Sequence, residues 1–179
     1  LLRDGADPAQ ALRDATVAIN AIPTQFIRPV WTELLPHGRS GLPLVSTAKG
    51  IEQGTLLRPT EVLAELARSV TGVDPESAVL SGPTIATELA ARLPAALIAA
   101  SNASGLANTV QDLLNVPWIR TYTLDDPVGV EIAGATKNVI ALAAGMIDGL
   151  AVGDNAKSML LSRGLAEIAR LGESLGARL

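Results

Sequence analysis

The chain of 179 residues contains no cysteine and a single histidine. No disulfide can staple it, no thiolate can hold a metal, and the lone histidine leaves no histidine-bearing metal cluster or Ser-His pair worth defending. No metal site is expected. The one histidine, His37, stands between Pro36 and Gly38, where a helix should end, and reads as a solvated C-terminal residue. Aromatic residues make up only 2% of the chain. The core must therefore be built from Ala, Leu, Val and Ile, which favours helix packing and α/β layering over an aromatic-rich sandwich. With a net charge of -4 and no basic run, nothing supplies the electrostatic footprint of a nucleic-acid binder. Residues Leu1 to Asp7 lack both the charged and the apolar region of a signal peptide, so a cytoplasmic protein is expected.

Lysine is scarce too. Of 14 basic residues three are lysines (Lys49, Lys137 and Lys157), which leaves 14 − 3 = 11 arginines. A protein that makes its cationic surface with Arg has a reason for each Lys. Lys137 lies inside Glu131-Ile-Ala-Gly-Ala-Thr-Lys-Asn-Val-Ile-Ala-Leu-Ala-Ala-Gly145, otherwise small and apolar. An ammonium there is costly to desolvate unless it meets a partner, and such lysines serve as proton donors and acceptors. A salt bridge to Glu131 is the structural alternative.

At 48% hydrophobic, the chain can bury a real core. From Asp7 to about Thr123, short apolar runs alternate with helix-period segments, the rhythm of parallel βα units. Thr16–Ile22, Pro43–Ala48, Ser77–Leu80, Ala95–Ala100 and Ile119–Thr123 are the strand candidates. Helices are predicted over 25–35, over 59–70 with Val62, Leu63, Leu66 and Val70 on one face, briefly from Pro83, and from a Ser104 cap to about Leu114. After Asp125-Asp-Pro127 the strands stop. Asp126 as cap and Pro127 in the first turn start a helix reaching Leu150. A second, from about Ala156 to Leu175, carries Met159, Leu160, Leu165, Ile168, Ala169 and Leu175. The expected architecture is α/β: a Rossmann-like parallel sheet domain over 1–125, then an all-α domain beginning at 126–179. The first long helix could span a bilayer by length, but Glu131, Lys137 and Asp148 would be costly in lipid. No membrane span is expected.

Four patterns carry candidate chemistry. Ala21-Ile-Pro23-Thr-Gln-Phe26 follows a strand, where the crevice of an open α/β sheet binds nucleotides. Ser46-Thr-Ala-Lys49-Gly50 ends another, with Gly50 letting the backbone turn beside a cation that can reach a carbonyl or phosphate oxygen. Ser81-Gly82-Pro-Thr84-Ile-Ala86-Thr-Glu88 is a strand-to-helix turn with free N–H groups at the new helix. In Gly134-Ala-Thr-Lys137-Asn138 the last two residues lie about 100° apart on a helix and can border one cavity.

The order Pro-Thr-Gln-Phe, Thr-Ala-Lys-Gly, Ser-Gly-Pro-Thr-x-Ala-x-Glu, Gly-Ala-x-Lys-Asn-Val-x-Ala and Gly153-Asp-Asn155 closely resembles NAD(P)-dependent glycerol-3-phosphate dehydrogenase, from about Thr16 to the end. The resemblance implies that 1–125 is part of a dinucleotide-binding domain and 126–179 the start of a helical substrate domain, in an enzyme interconverting dihydroxyacetone phosphate and sn-glycerol 3-phosphate, a small phosphorylated three-carbon substrate, with NAD or NADP, as a homodimer. By motif, Lys137 resembles the catalytic proton donor and acceptor. Lys49 resembles a substrate-binding lysine near the nicotinamide, Gly82 and Thr84 resemble substrate contacts, and Ala86 resembles a cofactor contact, as do Pro23 and Phe26. Asn138 is assigned to orienting the substrate or Lys137. Ketone reduction places negative charge on the C2 oxygen, which calls for a cation able to give up a proton. The Gly-x-Gly-x-x-Gly turn that holds a pyrophosphate is absent, as are the family's later Gly-Asp-Leu segment and Arg-Asn pair. A fragment is expected, inactive alone, with the residue that selects NADH or NADPH upstream of position 1 or close to it. The alternatives are another two-domain hydroxyacid or sugar-acid dehydrogenase, and a non-catalytic cofactor-binding relative.

Overall fold

Proline, acidic caps and short apolar runs mark out the elements in a computed structural model that describes residues 7–178. The reading of Leu1 to Asp7 as lacking a signal sequence falls mostly outside that span. A short helix α1, Pro8–Arg13, leads into strand β1, Ala18–Asn20, and a 3-10 turn at Thr24–Phe26 opens α2, Ile27–Leu34. A further 3-10 turn ends at the exposed His37, as expected. β2, Leu44–Ser46, is followed by α3, Pro59–Thr71, and β3, Ser77–Ser81. The one-turn α4, Ala86–Ala90, precedes β4, Ala95–Ala100, then α5, Leu106–Leu114, and β5, Ile119–Leu124. The long helices α6, Pro127–Gly149, and α7, Asp154–Ser174, complete the chain.

The five strands form one sheet in sequence order. β1, β2 and β3 are parallel, and β4 and β5 are parallel to each other, but β4 runs antiparallel to β3. The wholly parallel sheet expected from the βα rhythm is therefore a mixed one. The cause is the β3–β4 connection, whose only helix is the five-residue α4; a parallel return needs a crossover long enough to travel back along the sheet.

One core lies under α2 and α3, where Ile27, Trp31, Leu44, Val62, Leu63, Leu66 and Ala67 are buried together. Each such Leu, Val or Ile contributes about 1.5–3 kcal/mol by leaving water. Pro59 starts α3 and Gly72, at φ 74°, ends it. Ala67 takes the place expected of Val70, which lies beyond the rim of the contact and is exposed. A second core joins Val45, Ala78, Ala99, Leu106 and Val110. Gly105, at φ 83°, begins α5, and not Ser104, because only glycine takes that left-handed conformation cheaply. The segment 16–22 is not a buried strand throughout: β1 is the edge of the sheet, and Ile19 is 48% exposed.

Asp126 caps α6 by accepting from Gly129 N at 2.9 Å, as its sequence signal predicts. By length and composition α6 could cross a bilayer. Here it lies along α7 and packs on β3 and β4. Where α7 meets α6, its buried Gly164 lies against Ile140 of α6. Met159, Leu165 and Leu175, expected in its apolar face, are exposed, whereas Leu160, Ile168 and Ala169 are half-buried.

Candidate active site

The parallel strands β1, β2 and β3 end side by side, with Asn20 opposite Ser46 and Ser46 opposite Val79. The three loops leaving those ends carry three of the four sequence patterns. Asn20 is the knot between the first two. Its side-chain oxygen accepts from Trp31 Nε1 at 2.9 Å, and its amide donates to Ser46 Oγ at 3.2 Å. Its carbonyl accepts from Thr47 N and Thr47 Oγ1. Gln25 ties the same loops further out, donating to the Ile51 carbonyl at 2.9 Å and accepting from Gln53 N at 3.0 Å. The Pro23–Phe26 turn is thus bonded directly to the loop that presents Lys49.

Lys49 Nζ lies 3.4 Å from the Gly82 carbonyl oxygen. Gly82 is glycine by necessity, since a β-carbon there would collide with the Ala96 carbonyl oxygen. Gly134 of α6 brings the helix against the same turn: a β-carbon on it would stand 3.5 Å from Ser81 Oγ and 3.8 Å from Lys49 Cγ. Lys137 is one helical turn further along. A cavity of about 430 Å³ is bordered by Ser81, Gly82, Gly134 and Lys137 and reaches the inner side of α7. A neighbouring cavity of about 300 Å³ is bordered by Lys49, Ser81, Gly82 and Thr84. Ser81 and Gly82 are their shared wall, so the two lysines flank one turn.

The ammonium of Lys137 is exposed, which departs from the desolvated cation expected of an apolar helix, and it donates to Asn138 Oδ1 at 2.9 Å. It makes no ion pair among the described residues, because Glu131 is engaged elsewhere. The Glu131 carboxylate is buried and takes three donors: Thr60 N at 2.9 Å, Thr60 Oγ1 at 2.6 Å and Arg58 Nη1 at 2.8 Å. Burial pushes its carboxyl above the ordinary range, and Thr60 and Arg58 pull it back in part. On the other side of the Lys49 loop, Glu52 accepts from Arg28 Nε and Nη2 at 3.0 and 2.8 Å and from Thr55 Oγ1 at 2.6 Å. The Arg28 guanidinium holds that carboxyl below its ordinary range.

Of the residues singled out from sequence, Lys49, Gly82, Thr84 and Lys137 border the twin cavities, and Asn138 touches them through Lys137. Pro23 and Phe26 belong to the turn bonded to the Lys49 loop, with Phe26 60% exposed. Ala86 begins α4 two residues past Thr84 and is exposed. Asn20, Gln25 and Glu131 were not anticipated as organisers of the site. A polar Asn inside an apolar strand run was the available signal for the first; the partners of Glu131 are 71 and 73 residues away, and no local pattern announces them.

A family model described as NAD-dependent glycerol-3-phosphate dehydrogenase N-terminus matches residues 2–107, more than half of the chain, and one described as its C-terminus matches residues 126–179. The glycerol-3-phosphate dehydrogenase [NAD(P)+] of Parafrankia sp. is 46% identical over 178 residues, covering 99% of this chain and 52% of that protein. Its Mycobacterium leprae counterpart is 47% identical over 181 residues, covering 99% and 50%. The chain spans about half the length of the curated relatives it matches. The crystal structure of glycerol-3-phosphate dehydrogenase from Coxiella burnetii superposes with a TM-score of 0.84 at 34% identity, covering 96% of this chain and 51% of that one. The chain belongs to the NAD-dependent glycerol-3-phosphate dehydrogenase family.

Proposed function

We propose that the full-length protein interconverts dihydroxyacetone phosphate and sn-glycerol 3-phosphate with NAD or NADP, in the cytoplasm and as a homodimer. Residues 1–125 then contribute part of its dinucleotide-binding domain, and residues 126–179 begin its helical substrate domain. The observation that carries this reading is the placement of Lys49 and Lys137 on either side of the Ser81–Gly82 turn. One small anionic substrate seated there would meet both cations.

The residues present fit the nicotinamide half of the cofactor. An exposed aromatic ring, Phe26, stands beside the Lys49 loop, and the N-terminal end of α4 offers free N–H groups near Ala86. Pro23, Phe26, Lys49 and Ala86 are the groups that would hold it. When bound, the nicotinamide supplies or removes the hydride at the substrate's second carbon. In the reductive direction the C2 oxygen gains negative charge, and the Lys137 ammonium neutralises it by giving up one proton. In the oxidative direction the Lys137 amine takes that proton from the hydroxyl. Asn138, hydrogen-bonded to Lys137 Nζ, orients the ammonium. Lys49 supports the substrate oxygens electrostatically and, through the Gly82 carbonyl, holds the turn on which Thr84 sits.

Lys137→Ala in the full-length protein should lower kcat by at least about a hundredfold, the usual contribution of a general acid, while NADH and NADPH binding followed by fluorescence is retained. Unchanged turnover would remove Lys137 from the chemistry. A substrate panel setting dihydroxyacetone phosphate against hydroxyacids and sugar acids distinguishes this reading from its relatives.

A further inference from the structure

Lys49 and Lys137 belong to different parts of the fold, so something must fix the distance between them. Lys49 sits on the β2–α3 connection, residues 47–58. That connection is anchored where it starts, by Asn20 on Thr47 and Ser46. At its midpoint Arg28 grips Glu52. Its far end closes on Glu131: Arg58 and the first turn of α3 donate all three hydrogen bonds that the buried carboxylate accepts. Arg58 is itself held by Glu61, whose carboxylate takes both its Nη2 at 2.7 Å and its backbone N at 2.9 Å. Glu131 lies on α6 six residues before Lys137, about 9 Å along the helix axis.

We propose that Glu131 is a positioning residue: by clamping the Lys49-bearing connection, through Arg58 and Thr60, to the Lys137-bearing helix, it sets the spacing of the two cations. The proposal rests on the catalytic reading of Lys137 given above. A buried carboxylate with three donors from one short segment is a poor general-purpose stabiliser, because burying its charge offsets much of what the bonds return. Its geometric effect is specific. The two Thr60 bonds fix both translation and rotation of α6 relative to the start of α3, and Arg58 closes the third side. Freeing α6 would leave Lys137 on an intact, exposed helix, yet displaced from a substrate held by Lys49. A displacement of an ångström at a reacting group is enough to slow chemistry strongly.

The test uses the full-length enzyme carrying Glu131→Gln, which keeps the shape and an acceptor for Thr60 N but removes the charge that holds Arg58. The expected result is a kcat per folded molecule reduced on the order of tenfold. The dissociation constant for NADH should be unchanged, and the primary isotope effect with NADH deuterated at the transferred position should rise, because proton and hydride transfer become rate-limiting. A merely structural Glu131 would change the melting temperature and leave the isotope effect alone. Wild-type kcat per folded molecule with a wild-type isotope effect therefore overturns the proposal, whatever the melting temperature does. Thr60→Val, which removes only the 2.6 Å hydroxyl donor, carries the same readouts should Glu131→Gln not accumulate as folded protein. Lys137→Ala in the same assays separates the two readings. Retained turnover there removes the catalytic lysine itself, whereas an inactive Lys137→Ala beside a fully active Glu131→Gln removes the clamp alone.

Discussion

At the scale of single residues, the site depends on side chains that are absent as much as on those present. Gly82 lets the β3–α4 turn lie against β4, where any β-carbon would meet the Ala96 carbonyl and come within 3.0 Å of Leu97 Cδ2. Backbone cannot yield as a flexible side chain can. Gly82→Ala should therefore push the turn outward, costing about 1–3 kcal/mol as overpacked substitutions do. It should also withdraw the carbonyl oxygen that Lys49 approaches. Urea unfolding of the full-length protein reads the first effect, and a raised KM for dihydroxyacetone phosphate reads the second; a variant with wild-type values in both would show that the turn relaxes freely. The two lysines were legible in the sequence because this chain otherwise builds its cations from arginine. Asn20 and Glu131 were not, because the meaning of each lies in partners more than 20 residues away: Ser46 for Asn20, and Thr60 and Arg58 for Glu131.

At the scale of elements, starts were easier to read than directions or faces. The pairing of Asp126 with Pro127, and Pro59 with Gly72, marks helix ends through backbone chemistry that needs no tertiary partner. Strand β4 was placed over the residues it occupies, but its direction depends on how far the Gly82–Pro94 connection can travel. That is a property of the connection and not of the strand. The apolar face of α7 was read too broadly for a similar reason: periodicity gives an average stripe, whereas contact with α6 is decided by where two backbones come close. Gly164 is the point of that approach, and a β-carbon there would lie 2.7 Å from Ile140 Cδ1. Since the obstruction is a side chain, it can be removed. Gly164→Ala alone should destabilise the full-length protein by about 1–2 kcal/mol, and in an Ile140→Ala background the same change should cost much less. Chemical denaturation of the four proteins in the cycle measures the coupling. Additive effects would mean that the helices meet elsewhere.

At the scale of the whole molecule, two buried carboxylates fasten the Lys49 connection from opposite sides and respond to acid in opposite ways. Glu52 is held below its ordinary value of 4.5 by Arg28. Its stabilisation is complete above pH 4.5 and is lost as the pH falls through its lowered folded-state value, because the unfolded chain binds the proton more readily. Glu131 is held above 4.5 by burial. Its contribution is complete below pH 4.5 and fades as the pH rises through its raised folded-state value. The two windows do not overlap, so substitution can assign each limb of the stability curve. Glu52→Gln in the full-length protein should flatten the loss of stability below pH 4.5 and leave the slope above it intact, and Glu131→Gln should flatten the decline above pH 4.5 alone. Urea midpoints from pH 3 to 8 provide the measurement. If Glu52→Gln left the acid limb as steep as before, the Arg28 grip on the Lys49 connection would contribute nothing to holding the fold, and the clamp at Glu131 would be left to fix that connection together with Asn20 and Gln25.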